Sequence, residues 1–255
     1  MNRVYRPAGY APRTLRDVSE LQPADSGPSL DDPAYRDAVV DLLGVVAYTE
    51  LSAFVRLAAD AALAPRIDDE AKLAEMAVAE FRHFTRLRDR LTQMGSDPDA
   101  AMQPFVAPVD AFHESTAPAD WLEGLMKAYV GDGVGVDFYR EVARYLDSDT
   151  QALVLDVLAD TGHSAFVVST IREAIAVDPR VAGRLALWGR RLMGEMLSQA
   201  QRTAAERDAL SNLLVGGLGG QVHGMPGFDL AEVGRMFARL TENHTRRMQA
   251  LGLSA

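Results

Sequence analysis

The sequence of 255 residues is 48% hydrophobic, carries a formal net charge of −10 and contains no cysteine. A chain of this length buries a substantial hydrophobic core, so we expect one large domain. The absence of cysteine excludes disulfides, zinc–thiolate sites and iron–sulfur clusters, so any metal must be held by carboxylate or imidazole groups. The acidic charge provides no general attraction for nucleic acid or for an anionic membrane.

The N-terminal residues 1–31 are rich in Pro, Gly, Ser and Arg and show no periodicity, which predicts an extended or disordered arm. The arm lacks a continuous apolar segment of signal-peptide length. No apolar run in the chain reaches the roughly 18 residues of a transmembrane helix. We therefore expect a cytoplasmic protein without membrane association, in which residues 32–255 form a single helical domain.

The first two predicted helices form a hairpin. Asp32 followed by Pro33 is an N-cap with proline at the first helical position, and it starts a helix that runs to about Ala64. The second helix starts at Asp68 or Asp69 and ends at Gly95. The next segment, up to about residue 118, contains four prolines and no helical period, which predicts a long crossover connection.

Four more helices are predicted after the crossover. Asp120 with Glu123 forms a capping-box pattern at the start of the third helix, and a glycine-rich stretch precedes the last helix, which Asp229 caps. Their expected ranges are 120–145, 149–176, 178–214 and 229–251. No strand pattern is present, so the sequence predicts an all-α protein with a four-helix bundle, a long crossover between helices two and three, and two additional C-terminal helices.

Acidic residues and histidines recur on the apolar faces of these helices. Glu80 and His83 lie three residues apart on a face that also carries Leu73 and Phe84, and burying them without partners would cost roughly 2–7 kcal/mol each. Asp160 and His163 repeat the same spacing on the fourth helix. The pattern indicates that both pairs have polar or charged partners in the core.

A single acid precedes each pair. Glu50 lies 30 residues before Glu80, and Asp132 lies 28 residues before Asp160, which is the separation expected across an antiparallel hairpin with arms of about 20 Å. On the third helix we choose Asp132 over Asp137, because Asp137 lies beside the charged residues Arg140, Glu141 and Arg144. Four carboxylates and two imidazoles at one level of a bundle are a ligand set for two metal ions.

With these six residues in place, the sequence resembles the ferritin-like di-iron carboxylate superfamily, whose pattern of Glu, Glu-x-x-His, Glu and Glu-x-x-His it follows. The YTELSAF segment around Glu50 and the KAYVGDGVGVDFYRE segment around Asp132 are most similar to the bacterial tRNA hydroxylase-like family, which resembles the enzyme that hydroxylates an isopentenyl-adenosine of tRNA. The resemblance covers about residues 35–250. It implies a ferritin-like bundle with two irons, or manganese as a substitute, held by the residues Glu50, Glu80, His83, Asp132, Asp160 and His163.

The resemblance also implies a reaction, an O2-dependent hydroxylation of a tRNA or another nucleoside-containing substrate. A separate electron-donor protein must supply the reductant, because the sequence contains no flavin or nicotinamide fingerprint. Asp132 and Asp160 depart from the family pattern, which has glutamate at both positions. The alternatives are therefore an iron-binding or ferroxidase-type protein, and a bundle that has lost its metal and acts as a binding or scaffold protein.

Other interpretations of single residues stay open at this point. Glu80 with His83 is also explained as a buried hydrogen-bonded pair. Gly131, Gly133 and Gly135 either let aromatic side chains pack or mark a π-bulge, a distortion common near functional sites.

The remaining histidines and the arginines of helix two are expected at the surface. We predict surface positions for His113 and His223, and a solvated pair of His244 with Glu242. Arg82, Arg86, Arg88 and Arg90 most simply form a solvated helix face. Together with Arg3, Arg6, Arg13 and Arg16 they are the only phosphate-binding patch that the sequence offers.

Overall fold

The computed structural model describes residues 28–159, 163–214 and 230–255, and within these ranges the chain is built from helices without strands. The bundle proper consists of α1 (Pro33–Ala61), α2 (Ile67–Gln93), the segment α4 (Trp121–Met126) with α5 (Asp132–Ala143), and the pair α6 (Ser148–Val157) and α7 (His163–Val177). A π-helical turn, Lys127–Gly131, joins α4 to α5. The other helices are α3 (Pro98–Ser115), α8 (Arg180–Glu206), α9 (Asp208–Leu214) and α10 (Leu230–Ala250). The all-α prediction is confirmed.

Local sequence explains where the bundle helices begin. The Asp32 side chain accepts hydrogen bonds from the amides of Ala34 and Tyr35, with Pro33 at the first helical position. Asp120 accepts from the amide of Glu123, and the Glu123 carboxylate accepts from the amide of Ala119 in return. Both predicted caps are therefore present.

The crossover differs from its prediction, because it contains a helix. α3 begins with Asp97 as its cap and Pro98 at its first position, and it accommodates Pro104 and Pro108 in its interior. The helix lies against α1 at Gly44, where a Cβ would come within 2.3 Å of the Ala101 carbonyl oxygen. Tertiary packing against this glycine stabilises a helix that carries two prolines.

The fourth bundle helix also differs from its prediction. The expected helix over 149–176 is two helices, since α6 ends at Val157 and α7 begins at His163. The predicted fifth helix is likewise divided at Arg207, whose backbone is extended.

Two large clusters of apolar side chains, with a small third one at Val134, Met193 and Leu240, form the core, and a polar layer separates the two large clusters. On α1 the first cluster extends to Ala47 and the second begins at Leu57, so Glu50 lies between them. On α2 the second cluster extends to Ala77 and the first resumes at Phe84, so Glu80 and His83 lie in the same gap. The hydrophobic core is therefore interrupted at one level of the bundle, where Glu50, Glu80 and His83 lie.

Among the described residues, α1 is the one helix that is long and apolar enough to cross a membrane. Its length and its mean hydropathy of 1.7 meet the composition of a membrane span, but 67% of its most apolar 18-residue stretch is buried inside the protein. This burial identifies α1 as the central core helix of the bundle.

Candidate metal centre

Two carboxylates and one imidazole meet between α1 and α2. Ligand-capable atoms of Glu50, Glu80 and His83 all lie within 4.8 Å of one another. His83 Nδ1 lies 3.2 Å from Glu50 Oε2 and 3.6 Å from Glu80 Oε2. The helical spacing of Glu80 and His83 and the hairpin that returns to the level of Glu50 produce this arrangement, as the sequence pattern indicates.

Burial and the neighbouring charges shift the pKa values of the groups in this cluster. Burial raises the pKa of Glu50 well above its usual range, and the hydrogen bond to Glu80 raises it further. Burial lowers the pKa of His83, but hydrogen bonds to Glu50 and Glu80 outweigh this effect and raise the pKa to about 9. A proton on His83 is thus the counter-charge of the acids in the metal-free protein.

Asp132 lies at the edge of the same polar layer, directly after the π-helical turn. Burial raises the pKa of Asp132 well above its usual range, the charge of Glu80 raises it further, and the charge of Lys127 lowers it. Asp132 lies outside the 4.8 Å group of three residues, although it lines the same cavity. The π-helical turn confirms the π-bulge that was one of two interpretations of the nearby glycines, and it ends immediately before this acid.

The other half of the predicted ligand set lies outside the described residues. This applies to Asp160 and to the side chain of His163. As ligands, both residues stay predictions.

A cavity of about 450 Å³ adjoins the cluster. Glu50, Glu80, His83 and Asp132 are on its wall, and most of the remaining lining is apolar side chains from α1, α3, α5 and α8. The volume is within the range of about 300–1,000 Å³ typical of small-molecule sites. A molecule in this cavity would lie directly against the two acids and the imidazole.

Tyr139 is a cavity residue that the sequence analysis did not select. Its hydroxyl is hydrogen-bonded to Thr49, one residue before Glu50, and burial raises its pKa to about 12. The available signal was its position seven residues after Asp132, two helical turns along the same face.

Two histidines expected at the surface are buried, and so is Asp137, which the sequence places on the charged side of its helix. Asp137 is 7% exposed and pairs with Arg247 of α10, so the charged side predicted for it faces another helix. His113 and His244 are 8% and 4% exposed, so their surface predictions are wrong. His223 lies outside the described residues.

Two of the four arginines of α2 have acidic partners, as expected for a solvated, ion-paired face, whereas the Nε of Arg90 is buried and has no partner among the described residues. Arg86 pairs with Asp156 at 2.5 Å and Arg88 with Asp89 at 3.1 Å. The arginines of the N-terminal arm lie outside the described residues, so the phosphate-binding patch stays a prediction.

The chemistry of the donor set fits a metal ion. Carboxylate oxygens and imidazole nitrogen are the hard and borderline ligands that iron and manganese accept. Burial first, and the neighbouring Glu80 second, raise the pKa values of Glu50 and Asp132, so their charged forms are disfavoured unless a positive charge lies beside them. A bound cation would supply that positive charge.

Comparison with known proteins agrees with this architecture. The model of a family described as the ferritin-like domain of actinomycetes matches residues 33–217. A search of curated proteins gave no match. Because the family model covers well over half of the chain and includes α1, α2 and all six predicted ligands, the protein belongs to this family of actinomycete ferritin-like domains.

Proposed function

We propose that this protein is a non-haem di-iron hydroxylase that uses O2 to oxidise a mainly apolar substrate. The observation that carries the proposal is the position of Glu50, Glu80 and His83, which together offer three ligand atoms for a metal ion on the wall of an apolar cavity. An iron-storage site needs access for ions, whereas a substrate of a hydroxylase needs an apolar space next to the metal.

Each group of residues has a distinct task in this proposal. Glu50, Glu80 and His83 would hold one iron, and Asp132 with Asp160 and His163 the other. Two irons at this position would supply the activation of O2 for inserting oxygen into a C–H bond. Loss of the proton from His83 Nδ1 would free that nitrogen from its bonds to the carboxylates.

The cavity, a specific substrate and a source of electrons are also part of this proposal. The apolar lining positions a C–H bond against the cluster and keeps bulk water from it. The isopentenyl side chain of a tRNA adenosine, which the sequence resemblance suggests, is the specific substrate that we propose. Electrons would come from a separate donor protein in the cytoplasm.

Elemental analysis after anaerobic loading with iron(II) and exposure to air tests the metal centre. We expect two irons per chain, and a sharp loss of iron in Glu80→Gln. Glu75→Gln is the matched control, because Glu75 lies on the same helix with its side chain exposed. One iron would indicate that the second-half aspartates have lost a site, and no iron would refute the metal proposal and favour a scaffold protein.

Product analysis distinguishes a hydroxylase from a ferroxidase. With iron bound, the hydroxylase proposal predicts an oxygenated organic product from tRNA carrying the isopentenyl modification. Consumption of O2 with iron(II) as the sole reductant and no such product would instead identify a ferroxidase.

A further inference from the structure

His113 is a polar residue of the cavity that the metal centre does not use. It lies on α3, is 8% exposed, and lines the cavity wall. Its Nδ1 is completely buried and has no hydrogen-bond partner among the described residues. The ring makes an edge contact with Phe112 at 5.4 Å between centroids. Because buried polar groups are usually satisfied, this imidazole requires an explanation.

The protonation state of His113 follows from its surroundings. Burial lowers its pKa to about 3, and the positive charges of Lys127 and Arg56 contribute to the same shift. The imidazole is therefore neutral at physiological pH, with one proton on one ring nitrogen. A buried N–H without an acceptor is rarer than an unpaired acceptor, so the proton belongs on Nε2 and the unpaired Nδ1 is bare.

The position of this donor defines a ligand class. We infer that His113 Nε2–H faces the cavity and donates a hydrogen bond to a neutral oxygen, a carbonyl, ether or hydroxyl group, of a mainly apolar ligand. The apolar lining receives the body of the ligand. A neutral oxygen is favoured over a carboxylate, because the cavity wall already carries both acids and the cations Arg140 and Arg247, and burying a further charge without a partner of its own is costly.

This inference rests on the proposed function and deepens it, since the ligand would be the molecule that is hydroxylated. His113 then determines specificity by accepting substrates with an oxygen at this position and disfavouring hydrocarbons of the same shape. A site with a buried donor discriminates against an analogue that lacks the acceptor, because the donor is then left unpaired.

Calorimetric binding of two matched probes tests the inference. The ketone 2-tetralone and the hydrocarbon tetralin have similar shape, and only the ketone has an acceptor oxygen. We expect the full-length protein to bind 2-tetralone about five- to tenfold more tightly than tetralin. His113→Phe should abolish this preference, and His113→Gln should restore part of it because an amide N–H replaces the imidazole donor.

His244→Phe is the matched control. His244 is also buried with an unpartnered Nδ1 among the described residues, but it is not part of the cavity lining. The preference for the ketone should survive this change. His113→Leu replaces His113→Phe if the latter does not fold.

Three results would overturn the inference: neither probe binds, both bind equally to the parent, or the preference persists without the imidazole. Iron content is measured on the same samples. A protein that binds no iron yet shows the His113-dependent preference would refute the di-iron proposal alone, whereas an iron-loaded protein without the preference would refute this inference alone.

Discussion

Replacing Gly133 by alanine tests how α10 is attached to the helix that carries Asp132. Arg247 of α10 donates from Nη2 to the Gly133 carbonyl oxygen at 2.7 Å and pairs with the buried Asp137. A Cβ on Gly133 would lie 2.4 Å from Arg247 Nε and 2.8 Å from its Cδ. No real Cβ tolerates such contacts, so the arginine must move.

The size of the effect follows from the two ways in which Arg247 can respond. A small displacement of a packed side chain costs about 1–3 kcal/mol. Complete loss of the pair leaves the Asp137 carboxylate buried, which costs about 3–5 kcal/mol. Alanine recovers about 1 kcal/mol of helix propensity. We therefore expect Gly133→Ala to lower the free energy of unfolding by about 2 kcal/mol, with the two routes as its limits.

Urea denaturation measures this change, and Gly194→Ala is the control. A Cβ at Gly194 meets nothing within 4 Å, so alanine there should stabilise the protein by about 0.5–1 kcal/mol. In the Arg247→Ala background, Gly133→Ala should become neutral or stabilising because the obstructing side chain is absent. A Gly133→Ala protein as stable as the Gly194→Ala protein would refute the steric argument.

Three further outcomes are expected. Asp132→Asn should sharply lower the iron content, whereas Asp137→Asn should leave it unchanged. Asp137→Asn should instead lower the unfolding free energy by about 3 kcal/mol in denaturant titrations, because it breaks a buried ion pair with Arg247. The reverse pattern would show that the ligand is Asp137. Burial acts to raise the pKa of Asp147, but hydrogen bonds from Thr150 and Tyr35 outweigh this effect and lower the pKa. Asp147 therefore stabilises the fold at pH values above its unfolded pKa of about 3.9, and this contribution is lost as the pH falls through the folded pKa. The stability difference between the parent and Asp147→Asn should accordingly shrink on acidification, and a constant difference would contradict it. Glu50→Gln should raise the melting temperature of the metal-free protein and abolish its stabilisation by iron(II). In the parent this stabilisation is about 2.7 kcal/mol when free iron(II) is at a hundredfold excess over Kd. A lower melting temperature in Glu50→Gln would indicate that Glu50 serves as a structural hydrogen-bond partner.

The sequence by itself determined the helical class and the first half of the candidate site. Caps at Asp32 and Asp120 and the apolar period are local signals, and they predict helix starts that the structure confirms. Glu50, Glu80 and His83 meet because the spacing within a helix and the return of a hairpin are fixed by helical geometry. The same local signal was present at Asp97–Pro98, where it marks the start of α3.

Tertiary structure decided the features that depend on which helix lies against which. Prolines argue against a helix locally, yet α3 is stabilised by its close contact with α1 at Gly44. His113 and His244 are polar and appear solvated by sequence, whereas helices distant in the chain cover them. The break between Val157 and His163 and the pairing of Asp137 with Arg247, 110 residues away, likewise have no local signal. Burial and long-range pairing are properties of packed neighbours, so the cavity and the buried imidazole of His113 could be found only in the folded chain.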